Sequence, residues 1–307
     1  MSAQCLVFCM DIGGTRTKYG LIDVVSGDTQ AFLVEPTETQ GVRAFLDAAD
    51  YALDQLCDQA RCQRGDIVGC GAGIPGYVDG DLISLIWASL SFMEGVNFRP
   101  ALEARLGLPV RMDNDARVVA LGEAHRGGHG ASRRLLSLTL GTGLGFGLVV
   151  DGQLQEKSSI NHLAGHIPIR PGARPCFCGF SGCLETLVNA SALEDHFEAL
   201  SPPSAERGRV DSRAIFELAA NQQPAAQQAV RLLVADLIVG LNAYIHLFGP
   251  ELIVLGGGLA LPLGPWVAEM QRGLFAKPYD GYAVRVALSE LKEFAGLYGA
   301  AFLWKGD

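Results

Sequence analysis

Basic side chains are in short supply. In 307 residues, 24 Lys and Arg stand against 33 Asp and Glu, a net charge of −9. That deficit excludes a nucleic-acid binder that works by bulk charge, which needs a basic face. It leaves open an anionic ligand held by local dipoles. No basic region opens the chain and Asp11 interrupts the first apolar run, so no secretory signal is read. The longest uncharged stretches, 135–150 and 252–268, are too short and too rich in Gly or Pro for spanning helices. Low-complexity tracts and short-period repeats are missing. Eight Cys in a chain this long do not make a small disulfide scaffold. What is present is a globular composition, 49% hydrophobic and 19% charged, with the length for one large domain or two linked ones. The expectation is a soluble, reduced, cytoplasmic protein with no membrane partner.

The apolar pattern alternates between two periods. Residues 5–10 read as a strand that ends at Asp11 and Gly13-Gly14. Residues 19–24 read as its returning arm and 31–34 as a third strand. Between 39 and 59, Val42, Phe45, Leu46, Ala49, Leu53 and Leu56 recur every three or four residues, which predicts an amphipathic helix. A buried strand at 67–72 runs into Gly73-Ile74-Pro75-Gly76. A helix at 100–106, a strand at 110–112 and a helix at 115–125 follow. The opening theme then repeats as a strand at 135–140, a glycine turn at 141–145 and a returning strand at 146–150. A long helix spans 225–248, and a strand at 252–255 opens on Gly256-Gly257-Gly258. Two strand–glycine–strand hairpins imply a duplicated architecture with ligand between the halves.

Asp11-Ile12-Gly13-Gly14-Thr15 combines three devices. Gly13 and Gly14 permit positive φ and a close approach of backbone N–H groups to an anion, Thr15 adds a hydroxyl, and Asp11 can hold a hydrated divalent cation. Gly141-Thr142-Gly143-Leu144-Gly145 offers a second phosphate cradle. Taken singly, each turn is equally well read as an ordinary hairpin turn. Neither matches the P-loop spacing or G-x-G-x-x-G, which leaves a Rossmann oxidoreductase a poor fit. Gly256-Gly257-Gly258 is a third place where backbone can approach a flat ligand such as adenine.

Two further clusters carry chemistry. His166 precedes Cys176, Cys178 and Cys183, a Cys₃His set suited to a tetrahedral structural zinc; the bland reading is a set of buried, unliganded thiols. Cys5, Cys9, Cys57, Cys62 and Cys70 lack such spacing and read as apolar fillers. Asp113-Asn114-Asp115-Ala116 sits between a strand and a helix. A carboxylate there can take a proton from a substrate hydroxyl. By itself the tetrapeptide reads more readily as a helix N-cap.

Together these elements resemble the repressor–open reading frame–kinase (ROK) family of the actin-like ATPase and hexokinase superfamily. The resemblance rests on Asp11 to Lys18, Gly73 to Gly76, Asn114-Asp115-Ala116 with Gly122-Glu123, Leu140 to Gly145, Pro250 to Gly258, and the Cys176–Glu185 run with Gly165-His166. It implies two α/β domains of ribonuclease-H-like type with the active site in the cleft. The smaller would take residues 1–115 plus a returning helix near 294–307, the larger 116–293. Members are kinases of hexoses and N-acetylhexosamines, or repressors with a DNA-binding module. Here the first hairpin begins by residue 5, which favours the kinase and no nucleic-acid partner. By the match, Asp115 is the general base, Asn114, His166 and Glu185 bind the sugar, and His166 also ligates Zn²⁺ with Cys176, Cys178 and Cys183. Asp11, Gly13, Gly14, Thr15, Lys18, Gly141, Thr142, Gly143, Gly256, Gly257 and Gly258 would hold ATP and its Mg²⁺, and the protein would be a homodimer.

One position departs from the pattern. The family's usual stretch is Gly-Glu-x-Gly-His, and here it is His162-Leu163-Ala164-Gly165-His166. Leu163 cannot accept a hydrogen bond, a loss worth roughly 1.5–3 kcal/mol in a desolvated site. The acceptor is then an unusual sugar, or His162 supplies the polarity, or the protein is a catalytically impaired sugar sensor. A chaperone-like ATPase or scaffold of the same superfamily is the alternative from another class. The Cys₃His run and the Asn114-Asp115 pair argue against it.

Overall fold

The computed structural model describes residues 5–84, 88–155, 159–201, 208–274 and 282–305. Its first elements are β1 (Leu6–Ile12), β2 (Arg16–Asp23), β3 (Thr29–Pro36), α1 (Val42–Ala60), β4 (Ile67–Ile74), β5 (Tyr77–Asp79), β6 (Leu82–Ser84), α2 (Phe98–Leu106), β7 (Val110–Asn114) and α3 (Asp115–Arg126). There follow β8 (Arg134–Leu140), β9 (Leu144–Val150), β10 (Gln153–Leu154), α4 (Leu184–Val188), α5 (Ala190–Leu200), α6 (Ser212–Ala220) and α7 (Pro224–Phe248). The chain closes with β11 (Leu252–Gly256), α8 (Val267–Gly273), β12 (Arg285–Leu288) and α9 (Ala295–Phe302).

Two five-stranded sheets share one strand order. The first is β3-β2-β1-β4-β7 and the second β10-β9-β8-β11-β12. In the first, β1 pairs antiparallel with β2 and parallel with β4, and β4 pairs parallel with β7. In the second, β11 lies parallel between β8 and β12. The repeated hairpin-then-parallel order is the duplicated α/β architecture expected from the two glycine hairpins. The short strands β5, β6, β10 and β12 were not foreseen, because two to four residues give no readable period.

Two compact units emerge, one of residues 1–130, 147–162 and 290–307, the other of 131–146 and 163–289. The sequence places a boundary at 115. The observed unit instead keeps α3 with the N-terminal sheet, since α3 and α9 meet through glycines. A Cβ on Gly122 would collide with the Ala295 carbonyl, and one on Gly299 with the Val118 carbonyl.

In the first unit β1 is covered on both faces, which explains why it reads as continuously apolar. Leu6, Phe8, Met10 and Ile12 join Phe45, Leu53 and Leu56 of α1 in the larger core. The alternate residues Val7 and Cys9 pack with Val118 of α3 and Leu297, Ala300 and Ala301 of α9. In the second unit α7 is the central helix, burying Val230, Leu233, Val234, Leu237, Leu241 and Tyr244. By length and composition alone α7 is apolar enough to cross a membrane, but half of that window is buried inside the protein. Core apolarity accounts for it.

Candidate active site

The first hairpin places its functional residues by strand register. Asp11 on β1 stands directly opposite Lys18 on β2, and their side chains form an ion pair of 2.9 Å. Two expected residues, one for a cation and one for phosphate, therefore meet each other. The turn between them is braced from outside. The Thr37 hydroxyl donates to the Gly13 carbonyl at 2.6 Å and the Ser89 hydroxyl to the Gly14 carbonyl at 2.8 Å. Positive φ is not the reason for these glycines, since neither adopts it. Gly13 is needed for close approach: its N–H donates to the Arg16 carbonyl, and a Cβ would lie 2.8 Å from that oxygen. Gly14 and Thr15 are exposed at the tip.

Asn114 and Asp115 sit where β7 ends and α3 begins. Asn114 is the N-cap, its Oδ1 accepting from the N–H groups of Ala116 (3.0 Å) and Arg117 (3.3 Å). Its Nδ2 donates to the Gly76 carbonyl (2.9 Å) and to Asp115 Oδ1 (3.0 Å). The Gly73–Gly76 turn thus has a role the sequence did not disclose: it fixes Asn114, which in turn fixes Asp115. Asn114 is 2% exposed, and both its amide hydrogens are engaged within the protein. Behind it Arg117, the largest fully buried side chain among the described residues, forms a double hydrogen bond with Asp113 at 2.8 and 3.1 Å.

Asp115 Oδ1 also accepts from the Ala116 N–H at 2.8 Å, which favours its ionised form. Burial opposes this and is the larger effect, with the Asp11 charge second. Together they push the Asp115 carboxyl up to about 6. A carboxylate with that value is ionised at neutral pH yet basic enough to take a hydroxyl proton.

In the second unit, the turn Gly141–Gly143 joins β8 to β9, with Thr142 exposed. The Gly141 N–H donates to the Gly143 carbonyl, and the Gly141 carbonyl accepts from Ala190 at the start of α5. Gly257 lies beside this hairpin with φ of +85°, where a Cβ would strike the Leu140 backbone. The Leu259 N–H donates to the Leu140 carbonyl, so the glycine triplet and the second hairpin are joined backbone to backbone. Gly258 faces open space.

Glu185 connects this hairpin to the thiol cluster. It follows Cys183, the N-cap of α4, and its Oε2 accepts from the Leu144 N–H at 3.1 Å. Its Oε1 lies 3.9 Å from His166 Nδ1. The ligand atoms of His166, Cys176, Cys178 and Cys183 all lie within 4.8 Å of one another. His166 Nδ1 is 3.4 Å from Cys176 Sγ, and Cys178 Sγ is 3.5 Å from Cys183 Sγ. A tetrahedral zinc with Zn–S near 2.3 Å needs ligand separations of about 3.8 Å, so the donor set fits that ion in type, number and spacing. Burial pushes the Cys183 thiol up to about 12, whereas the Phe180 backbone holds Cys178 below its ordinary value. Among the other thiols, Cys9, Cys57 and Cys70 are buried, as fillers should be. Leu163 is half-buried, and the side chain of His162 lies outside the described residues.

The model of the ROK family matches residues 7–307. The chain belongs to the ROK family. A glucokinase of Streptomyces coelicolor is 30% identical over 97% of this chain and 97% of its own. An N-acetyl-D-glucosamine kinase of Salmonella paratyphi B is 30% identical over 98% of this chain and all of its own. Among solved structures, a ROK glucokinase of Streptomyces griseus in complex with glucose and AMPPNP superposes with a TM-score of 0.79. It is 26% identical, covering 97% of this chain and 98% of that one. This ROK protein therefore has the fold of the actin-like ATPases, as the motifs implied.

Proposed function

We propose that this ROK protein is an ATP-dependent sugar kinase that transfers the γ-phosphate to a hydroxyl of a hexose or N-acetylhexosamine. Relatives of nearly the same length are glucokinases and N-acetyl-D-glucosamine kinases. The observation that carries the mechanism is Asp115, a carboxyl raised to about 6 and held at a helix start by Asn114 and the Ala116 N–H. Asp115 takes the acceptor proton as the sugar oxygen attacks phosphorus. Asn114 works mainly by orienting that base, since its own amide hydrogens are engaged.

Gly13, Gly14 and Thr15 at one hairpin and Gly141, Thr142 and Gly143 at the other present backbone and hydroxyl groups to the phosphates. Gly256, Gly257 and Gly258 admit the adenosine. Lys18 stabilises charge on the phosphates, and Asp11 is the residue that would hold hydrated Mg²⁺, whose charge neutralises the transferring group. His166, Cys176, Cys178 and Cys183 would hold structural Zn²⁺. With Nδ1 on the metal side, His166 keeps Nε2 for the sugar, and Glu185 accepts a sugar hydroxyl with the oxygen not bound by Leu144. A cytoplasmic setting suits the unoxidised thiols. A homodimer is supported by the apolar stripe of Leu232, Val239 and Leu247 left exposed on α7.

The test is a coupled ADP-release screen over hexoses, N-acetylhexosamines and pentoses. At least one sugar should raise ADP release above the ATP-only background. Sugar binding without release would point to a sensor, the reading that Leu163 otherwise raises.

A further inference from the structure

The C-terminal helix α9 meets the Asp11 carboxylate of the phosphate hairpin at Gly296. A Cβ placed on Gly296 would lie 2.5 Å from Asp11 Cγ and 2.7 Å from each of its carboxylate oxygens. The contact falls on the carboxylate assigned to the cation. Whether the collision matters depends on which side can yield.

The helix cannot. Three glycine contacts, each backbone against backbone, hold α9 in place. Gly122 of α3 lies on the Ala295 carbonyl, one residue before Gly296. Gly299 lies on the Val118 carbonyl, and Gly71 of β4 on the Ala300 carbonyl. A retreat of α9 would have to open all three, and with them the core formed by Leu297, Ala300 and Ala301 against Val7 and Cys9. Asp11 is the softer partner: its carboxylate is fixed mainly by the Lys18 ammonium at 2.9 Å. A methyl group at 296 is therefore relieved by swinging Asp11 out of position.

We infer that Gly296 is a positioning residue for the metal–phosphate site, keeping open the space in which the Asp11 carboxylate stands. This inference rests on the reading that Asp11 serves the Mg²⁺ of bound nucleotide, and the test separates the two. Calorimetry measures ATP affinity with and without Mg²⁺ for wild type, Gly296→Ala, Asp11→Asn and the double variant. The expected result is that Mg²⁺ tightens ATP binding to the wild type, and that Gly296→Ala loses about 10- to 100-fold of that gain, the range for groups that orient a metal's ligands. In the Asp11→Asn background the alanine should change the Mg²⁺ gain no further, because it acts only through Asp11. Sugar binding, read as a thermal shift, should persist in Gly296→Ala and show that the fold is intact. If Asp11→Asn leaves the Mg²⁺ gain untouched, the assignment of Asp11 itself fails. If Asp11→Asn abolishes the gain while Gly296→Ala keeps it, or if the two losses add, the inference about Gly296 is overturned.

Discussion

Replacing Asp115 with Asn should make the protein more stable and inactive at once. Its carboxyl stands at about 6 in the folded chain, raised by burial and by the Asp11 charge. An Asp in an unfolded chain titrates near 4 (about 3.9). That gap corresponds to about 3 kcal/mol against the ionised form in the native state. The folded-state value lies above the unfolded one, so the native state binds the proton more tightly. The penalty is complete above pH ~6, fades as pH falls towards ~4, and is absent below that. Asparagine removes the charge but weakens the bond from the Ala116 N–H, an offset of about 1 kcal/mol. Asp115→Asn should then gain about 2 kcal/mol at pH 7.5, a rise of roughly 4–8 °C in melting temperature. At pH 4.5 the gain should largely vanish. Fluorescence melting at the two pH values checks it. An Asn variant no more stable than wild type at pH 7.5, or equally stabilised at both pH values, refutes the electrostatic reasoning. The same titration predicts that wild-type turnover falls about tenfold per pH unit below 6.

Other outcomes follow from the second unit. Purified protein should carry about one zinc ion per chain. Its removal should weaken sugar binding about 10- to 100-fold while sparing nucleotide binding; a metal-free preparation of full activity and stability would falsify the zinc site. Because the Cys183 thiol is pushed up to about 12, zinc must displace its proton, and zinc retention measured by competition with a chelator should weaken as pH falls. Gly257→Ala meets both a φ of +85° and the Leu140 backbone. It should cost at least about 2 kcal/mol by thermal melting and lower ATP affinity by calorimetry.

The repeated hairpins, the Cys₃His run and the Asp113–Ala116 segment were legible in the sequence because each is a local pattern. β1 and β8 show their apolar runs and glycine ends, and α1 and α7 their period, without reference to anything distant. The Asp11–Lys18 pair was nearly legible, since the hairpin register that puts these residues opposite each other follows from the turn. The reason for the glycines was not. Positive φ was expected at Gly13 and Gly14, whereas the backbone there is ordinary and the constraint is the Arg16 carbonyl. Contacts between distant residues stayed hidden. Gly76 receives Asn114 from 38 residues away, and Glu185 caps Leu144 from 41. Gly296 shows no motif of its own; its meaning comes from a carboxylate at the other end of the chain. Such pairings depend on how sheets and helices stack, which a local period does not encode.

Phosphoryl transfer to a sugar with Asp115 as base is the chemistry on which every other assignment depends. The most direct measurement is sugar-dependent ADP release by wild type and Asp115→Asn, with sugar binding to both followed by calorimetry. A hexose or N-acetylhexosamine should stimulate release by wild type, and Asp115→Asn should bind the same sugar but release ADP only at the ATP-alone rate. Near-normal sugar-dependent turnover in Asp115→Asn, or no stimulation of wild type by any sugar of the panel, would contradict it.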